Sequence, residues 1–280
     1  MSSHVEHDTC EQLGSDTGEQ EESNFDAMRV SLRMPIRKVD CGNCHTHAVD
    51  LNGNVWATGW NYCGQLGIAN RNYVKMVRQF VRVPGIDNVQ LLACGHNYTM
   101  VVRGDGLLLG TGRNDCGQLG LGHTKDVSRF EVVGNFIYIR DISCGQSHTM
   151  VVLGSRLLLG TGSNDWGQLG VPPSPDAPKQ MGEFHMHDVK KFKVVPDINN
   201  VQKVFCGGFH TMALCGYEGL FATGCNLDGQ LGLGHFDTLV NSFKVVPILM
   251  LMNFVPSSFV EDMLVDTWKS KNNNFPGNAS

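Results

Sequence analysis

The chain has 280 residues, with 27 acidic and 22 basic side chains, a net charge of −5, 33 glycines and ten cysteines. That length can bury a sizeable core in one large domain or two ordinary ones. The charge balance excludes the dense basic stripe that nucleic-acid backbones require, and this much glycine without a collagen period points to many turns joining short strands.

Residues 1–27 carry eight acids (Glu6, Asp8, Glu11, Asp16, Glu19, Glu21, Glu22 and Asp26) and no Lys or Arg. Such a polar head cannot bury enough apolar surface to fold and is expected to be disordered. The remainder holds 22 bases against 19 acids. The opening residues are acidic rather than basic then apolar, so no secretory signal is expected. The longest apolar run, Val245 to Pro256, is interrupted by Pro247 and Asn253 and is too short to span a bilayer. The expectation is an intracellular protein, cytoplasmic or nuclear, with no membrane or direct nucleic-acid partner and with its cysteines as thiols.

Residues 41–47 read Cys-Gly-Asn-Cys-His-Thr-His. The spacing fits c-type haem attachment, a redox pair or half of a zinc site. Haem attachment needs export and an iron pocket, and zinc through Cys41, Cys44 and His47 lacks a second ligand pair at metal-site spacing. Internal repetition supplies a different account. Gly-Gln-Leu-Gly occurs at Gly64–Gly67, Gly117–Gly120, Gly167–Gly170 and Gly229–Gly232, each inside Gly-x-Asn-x-x-Gly-Gln-Leu-Gly with Asn61, Asn114, Asn164 and Asn226 in register. Twenty residues before each Asn stands Cys41-Gly42, Cys94-Gly95, Cys144-Gly145 or Cys206-Gly207. His45, His148 and His210 follow three residues after the glycine, with Tyr98 at that position in the second copy. Cys41 and His45 are therefore expected to be structural repeat residues, and no catalytic residue, cofactor or metal is assigned.

Within each repeat an apolar segment follows Cys-Gly, then a turn (Asn52-Gly53, Asp105-Gly106, Gly154-Ser155, Glu218-Gly219), then a second apolar segment. Asn-Gly and Asp-Gly predict hairpins whose two central residues take positive φ. Consecutive apolar residues such as Val101-Val102 predict strands buried on both faces. The motif loop follows, with glycines for tight turning, Asn to bond nearby backbone and Leu to pin the loop. Two further strands fit the rest of each unit of about 50 residues, which describes a four-stranded propeller blade.

These motifs, Cys-Gly-x-x-His-Thr and Gly-x-Asn-x-x-Gly-Gln-Leu-Gly, resemble the regulator of chromosome condensation repeat family over about residues 30–250. The resemblance implies an all-β fold, a β-propeller of four-stranded antiparallel blades, usually seven. It also implies either a protein-interaction module or a guanine-nucleotide exchange factor for a small GTPase. Only four repeats are present, so a partial propeller is expected, and a homo-oligomer is one way to complete it. The organisation expected is a head at 1–27, four repeats at 28–250 and a non-repeat tail at 251–280.

The third connector is about ten residues longer than the others, opens with a Pro-rich stretch from Val171 and contains His185-x-His187-Asp188. Candidate interaction residues lie in the loops after the Gly-Gln-Leu-Gly turns: His123, Lys125, Asp126, His235 and Asp237. Gly110-Thr-Gly112 and Gly160-Thr-Gly162 lack the Gly-Lys-Ser/Thr ending of a phosphate loop and recur with the blade, so they are read as structural.

Overall fold

The computed structural model describes residues 35–69, 74–171, 188–216 and 218–247. The acidic head, the His185-x-His187 stretch and the tail at 251–280 lie outside them. The described chain is all-β: four four-stranded antiparallel sheets, each a meander of strands in chain order. Blade 1 contains β1 (Ile36–Cys41), β2 (His45–Asp50), β3 (Val55–Trp60) and β4 (Met76–Arg82). Blade 2 contains β5 (Val89–Cys94), β6 (Tyr98–Arg103), β7 (Leu107–Gly112) and β8 (Val127–Asn135). Blade 3 contains β9 (Ile139–Cys144), β10 (His148–Leu153), β11 (Leu158–Gly162) and β12 (Val189–Val194). Blade 4 contains β13 (Val201–Cys206), β14 (His210–Cys215), β15 (Gly219–Cys225) and β16 (Leu239–Val245).

The repeat sets one register in all four blades. Each motif Cys pairs with the motif Thr, Cys41 with Thr46 and Cys94 with Thr99, and again Cys144 with Thr149 and Cys206 with Thr211. Each motif His or Tyr pairs with the glycine that ends the third strand, as Tyr98 does with Gly112 and His148 with Gly162. β2 is buried along its length although His45, Thr46, His47 and Asp50 are polar, so the strand is covered on both faces.

The hairpins differ from the expectation in one respect. Gly53 and Gly106 have φ of 80° and 86°, but Asn52 and Asp105 do not lie in the left-handed region. The amide of Gly53 donates to Asp50 and that of Gly106 to Arg103, while Asp50 donates to Asn54 across the loop. These are three-residue loops with a left-handed third residue rather than two-residue turns. In blade 3 Arg156 takes that third place at φ 66°.

The first strands lie side by side, β1 beside β5, β5 beside β9 and β9 beside β13, and β13 does not pack along β1. The result is an open arc of blades. Apolar cores fill the three junctions: Val49, Val55, Leu66, Val89 and Leu92 between blades 1 and 2; Tyr98, Met100, Leu119 and Ile142 between blades 2 and 3; Met150, Leu169, Val201 and Val204 between blades 3 and 4. Blade 4 alone holds a small cluster, Ala222, Leu231 and Val240.

Candidate interaction surface

The Gly-x-Asn-x-x-Gly-Gln-Leu-Gly loop is a pair of successive turns organised by its Asn. The Asn61 carbonyl accepts from Gly64, and the Gly64 carbonyl accepts from Gly67. The Asn61 side-chain oxygen accepts from the Leu66 amide at 3.2 Å, and Asn114, Asn164 and Asn226 do the same for Leu119, Leu169 and Leu231. The Gln side chain folds back to accept from the backbone two residues earlier, as Gln65 does from Cys63 and Gln118 from Cys116. Every polar position of the motif thus satisfies a group the turns would otherwise leave unpaired.

The glycine of each Cys-Gly pair is required by the ring three residues later. A Cβ on Gly42, Gly95, Gly145 or Gly207 would fall 2.0–2.1 Å from the ring of His45, Tyr98, His148 or His210. Those rings join consecutive blades. His45 Nε2 lies 2.9 Å from Thr99 Oγ1, and His148 Nε2 lies 3.0 Å from Thr211 Oγ1. The Thr hydroxyls donate to the preceding blade's Gln carbonyl: Thr99 to Gln65, Thr149 to Gln118, Thr211 to Gln168. The Cys thiols reach the same way, Cys94 to Asp40, Cys144 to Ala93 and Cys206 to Ser143. Burial pushes the Cys206 thiol up to about 12 and raises Cys144 as well, so both remain protonated donors rather than nucleophiles. Burial, with His210 as a lesser cause, holds His148 down at about 3, so its ring is neutral. The motif loops also grip the next blade. Gly67, Gly120 and Gly170 lie under the rings of Phe130, Phe192 and Phe243, which a Cβ would meet at 2.6–2.7 Å. Gly64, Gly117 and Gly167 sit against the same fourth strands at Ser128, Lys190 and Asn241. Among the described residues, Gly229 and Gly232 in the last blade have only Phe236 and Val246 nearby.

All these loops lie on one rim, because the first-to-second and third-to-fourth strand connections emerge at the same end of each meander. Backbone bonds link that rim from blade to blade: Asn43 donates to His96, His96 to Gly145, and Gln146 to Gly208. The candidate interaction residues are on this rim, and several have local partners. Asp126 accepts from the Asn114 amide, and the Asn114 side chain donates to the carbonyls of His123 and Lys125. His235 accepts from the Asp237 amide and lies 3.2 Å from the Asp237 carboxylate. Such bonds fix the loop shape.

The sequence reading missed the aromatic side chains on the same rim. Trp60 and Tyr62 meet edge to face with ring centroids 5.4 Å apart, and the Lys75 ammonium stands 5.4 Å from the Tyr62 ring centroid. Trp166 of blade 3 lies 6.4 Å from Phe209 of blade 4. Between these pairs Arg113 makes two bonds to the Asp115 carboxylate. Tyr62 is 55% exposed and Phe209 41%. All of these are variable positions of the motif, and large rings at variable positions were the signal available in the sequence.

Residues 52–102, 105–152 and 157–214 match the family model described as the regulator of chromosome condensation (RCC1) repeat, and residues 36–65 match a second model of the same description. The chain is 34% identical over 203 residues to the ultraviolet-B receptor UVR8 of Arabidopsis thaliana, covering 71% of this chain and 43% of that protein. It is 35% identical over 98 residues to the human X-linked retinitis pigmentosa GTPase regulator, covering 35% of this chain and 10% of the relative. Among solved structures, Prp20p of Saccharomyces cerevisiae, described with its binding to Gsp1p and histones, superposes with a TM-score of 0.67 at 21% identity, covering 76% of this chain and 51% of that one. Human WBSCR16 superposes with a TM-score of 0.61 at 22% identity, covering 76% and 52%. The chain thus spans about half the length of these solved structures, and less of the two curated relatives.

Proposed function

The chain belongs to the regulator of chromosome condensation repeat family, and on that premise we propose that it is a protein-binding module whose contact surface is the rim bearing Trp60, Tyr62, Arg113, Trp166 and Phe209. The observation that carries this reading is the exposure of paired aromatic rings at variable motif positions on a rim whose motif loops are held in shape by their own Asn and Gln bonds. Aromatic residues and Arg on a rigid frame are the composition of binding hot spots. They contribute contact area at low entropic cost because the loops are already fixed by their own bonds. No bond-making chemistry is assigned, since burial keeps the Cys144 and Cys206 thiols protonated and the His45 and His148 imidazoles are repeat ties.

Guanine-nucleotide exchange on a small GTPase is a narrower form of the same reading, favoured by relatives named as GTPase regulators. A second copy of the chain is another partner of the same class.

Proteins captured by the purified full chain should be lost, by at least tenfold, with Tyr62→Ser or Phe209→Ser. They should persist with Tyr138→Ser, which alters the opposite rim, where Tyr138 is 67% exposed. Equal capture by all variants, or loss only with Tyr138→Ser, would overturn the assignment. Release of a labelled guanine nucleotide from a panel of small GTPases then separates exchange from plain binding.

A further inference from the structure

Blade 1 departs from the repeat at one buried position. Met100, Met150 and Met212 occupy the second residue after the motif Tyr or His in blades 2, 3 and 4, and blade 1 has His47 there. Because strand residues two apart share a face, His45 and His47 of β2 point into the same junction, their ring centroids 5.5 Å apart. The thiol of Cys94, at the end of β5 in blade 2, faces them. One ligand atom from each of the three lies within 4.8 Å of the other two, and all three residues are buried. Among the described residues neither of the other junctions gathers such a set, and buried Met100 and Met150 stand at the matching positions.

The hydrogen bonding of this cluster is short of protons. His47 Nε2 lies 3.4 Å from the Leu66 carbonyl, which can only accept, so Nε2 carries the ring proton and Nδ1 presents a lone pair. That lone pair faces Thr99 Oγ1 at 3.4 Å and Cys94 Sγ at 3.8 Å. Thr99 has one hydroxyl proton and commits it to the Gln65 carbonyl at 3.0 Å. The Cys94 proton is committed in turn to the Asp40 carbonyl at 3.4 Å. His45 donates its Nε2–H to the same Thr99 oxygen, which leaves its Nδ1 without a hydrogen-bond partner, as His148 Nδ1 is in blade 3. The His47 Nδ1 lone pair thus faces a thiol and a hydroxyl whose protons are committed elsewhere, in a sealed interior where a cation with the three side chains as ligands would satisfy it.

We propose that His45, His47 and Cys94 form a zinc site stapling blade 1 to blade 2. Two imidazoles and a thiolate are borderline-soft ligands suited to zinc, and the Leu66 carbonyl behind His47 is the outer-shell acceptor that orients a metal-bound imidazole. Zinc–nitrogen bonds of about 2.0–2.1 Å and a zinc–sulfur bond of about 2.3 Å place tetrahedral ligands roughly 3.3–3.7 Å apart. The present 3.8 Å between Cys94 and His47 is already near that value. Binding displaces one proton, from Cys94, and the Zn–S bond replaces the S–H bond. Thr99 Oγ1, which touches all three ligand residues, or a water in its place, completes the set. Since the site is closed to solvent, the ion is taken up as blades 1 and 2 close on each other.

The test uses the full chain, refolded under reducing conditions with and without one equivalent of zinc and passed over a desalting column before elemental analysis. About one zinc per chain should be retained, and the melting temperature should rise with it. His47→Met, which installs the residue of the other blades, should melt cooperatively and retain none. Cobalt(II) in place of zinc should give a thiolate-to-metal charge-transfer band that Cys94→Ser abolishes. No retained zinc in the wild type would overturn the proposal. Equal retention by His47→Met would also overturn it, by assigning the ion to other histidines such as His185 and His187.

Discussion

If the motif loop is the clamp between blades, replacing its last glycine should cost more where a next blade is present than where none is. Gly120 sits at φ +75° with the Phe192 ring over it, and Gly232 at φ +65° with nothing closer than Val246 at 3.4 Å. Alanine at either site pays about 1–2 kcal/mol for the left-handed conformation. At Gly120 the new Cβ also lies 2.7 Å from Cδ2 and Cε2 of Phe192, against a comfortable carbon–carbon separation of about 3.5–4.0 Å. Relieving that overlap costs about 1–3 kcal/mol more. Gly120→Ala should therefore destabilise by about 2–5 kcal/mol and Gly232→Ala by about 1–2 kcal/mol. At about 2–4 °C per kcal/mol for a domain of this size, the melting temperature should fall by roughly 5–20 °C and 2–8 °C respectively. Thermal melts of both variants check the difference. A double-mutant cycle of Gly120→Ala with Phe192→Leu should recover about 1 kcal/mol or more as coupling. Equal losses at the two glycines, or no coupling, would refute the clamp.

Two further outcomes test the inter-blade ties. Thr161 Oγ1 stands 2.6 Å from the Val189 carbonyl of its own blade and 3.0 Å from the Gly117 carbonyl of the blade before. Thr58 in blade 1 reaches only Val77, at 2.9 Å. Thr161→Val removes the inter-blade bond while the Gly117 carbonyl keeps the Gly120 amide, and should cost about 0.5–1.5 kcal/mol in urea unfolding, with Thr58→Val costing less. Acidification tests His148, whose folded value of about 3 lies below its ordinary 6.5 through burial and, secondarily, through His210. The unfolded chain takes up a proton that the folded chain refuses, so stability is complete above pH 6.5 and drains as the pH falls toward 3. By pH 5 the loss from this residue is about 2 kcal/mol. His148→Tyr, the residue of blade 2, should gain about that much on the wild type between pH 7.5 and pH 5. Parallel pH profiles would show that His148 is not the group.

The blades were legible in the sequence because they rest on local chemistry written four times. Asn61 and its equivalents, the turn glycines and the consecutive apolar strands act within about twenty residues and read the same in every copy. What repetition did not reveal is direction. That His45 ties to Thr99, some fifty residues on, and that Gly67 needs Phe130 overhead, are contacts between copies; the motif marks both partners without saying that they meet. The hairpins were misplaced by one residue because Asn-Gly also suits the end of a three-residue loop, where only the glycine takes positive φ. The rim aromatics escaped for the opposite reason. They are departures from the repeat, and averaging four copies discards departures. In the sequence His47 is weighed with Cys41 and Cys44 and set aside, because Cys94 belongs to the next copy.

The contacts between copies run one way, so the two ends of the arc are not alike. Each junction joins a motif loop and ring of one blade to a Thr, a Cys and a Phe of the next. Blade 1 therefore offers the second set without a first: Cys41 is exposed, and Phe80 is 37% exposed where Phe130, Phe192 and Phe243 are half-buried against a glycine loop. Among the described residues blade 4 offers the first set without a second: His210 is half-buried where His45 and His148 are sealed, and no described ring lies above Gly232. Among the described residues, those of the same type at the same repeat position are more buried where another described blade stands beside them, so the two outer blades show the chemistry of one side of that junction. An element that seals blade 4 must bring an aromatic ring over Gly232 and a hydroxyl to His210. One that seals blade 1 must bring a glycine loop beneath Phe80.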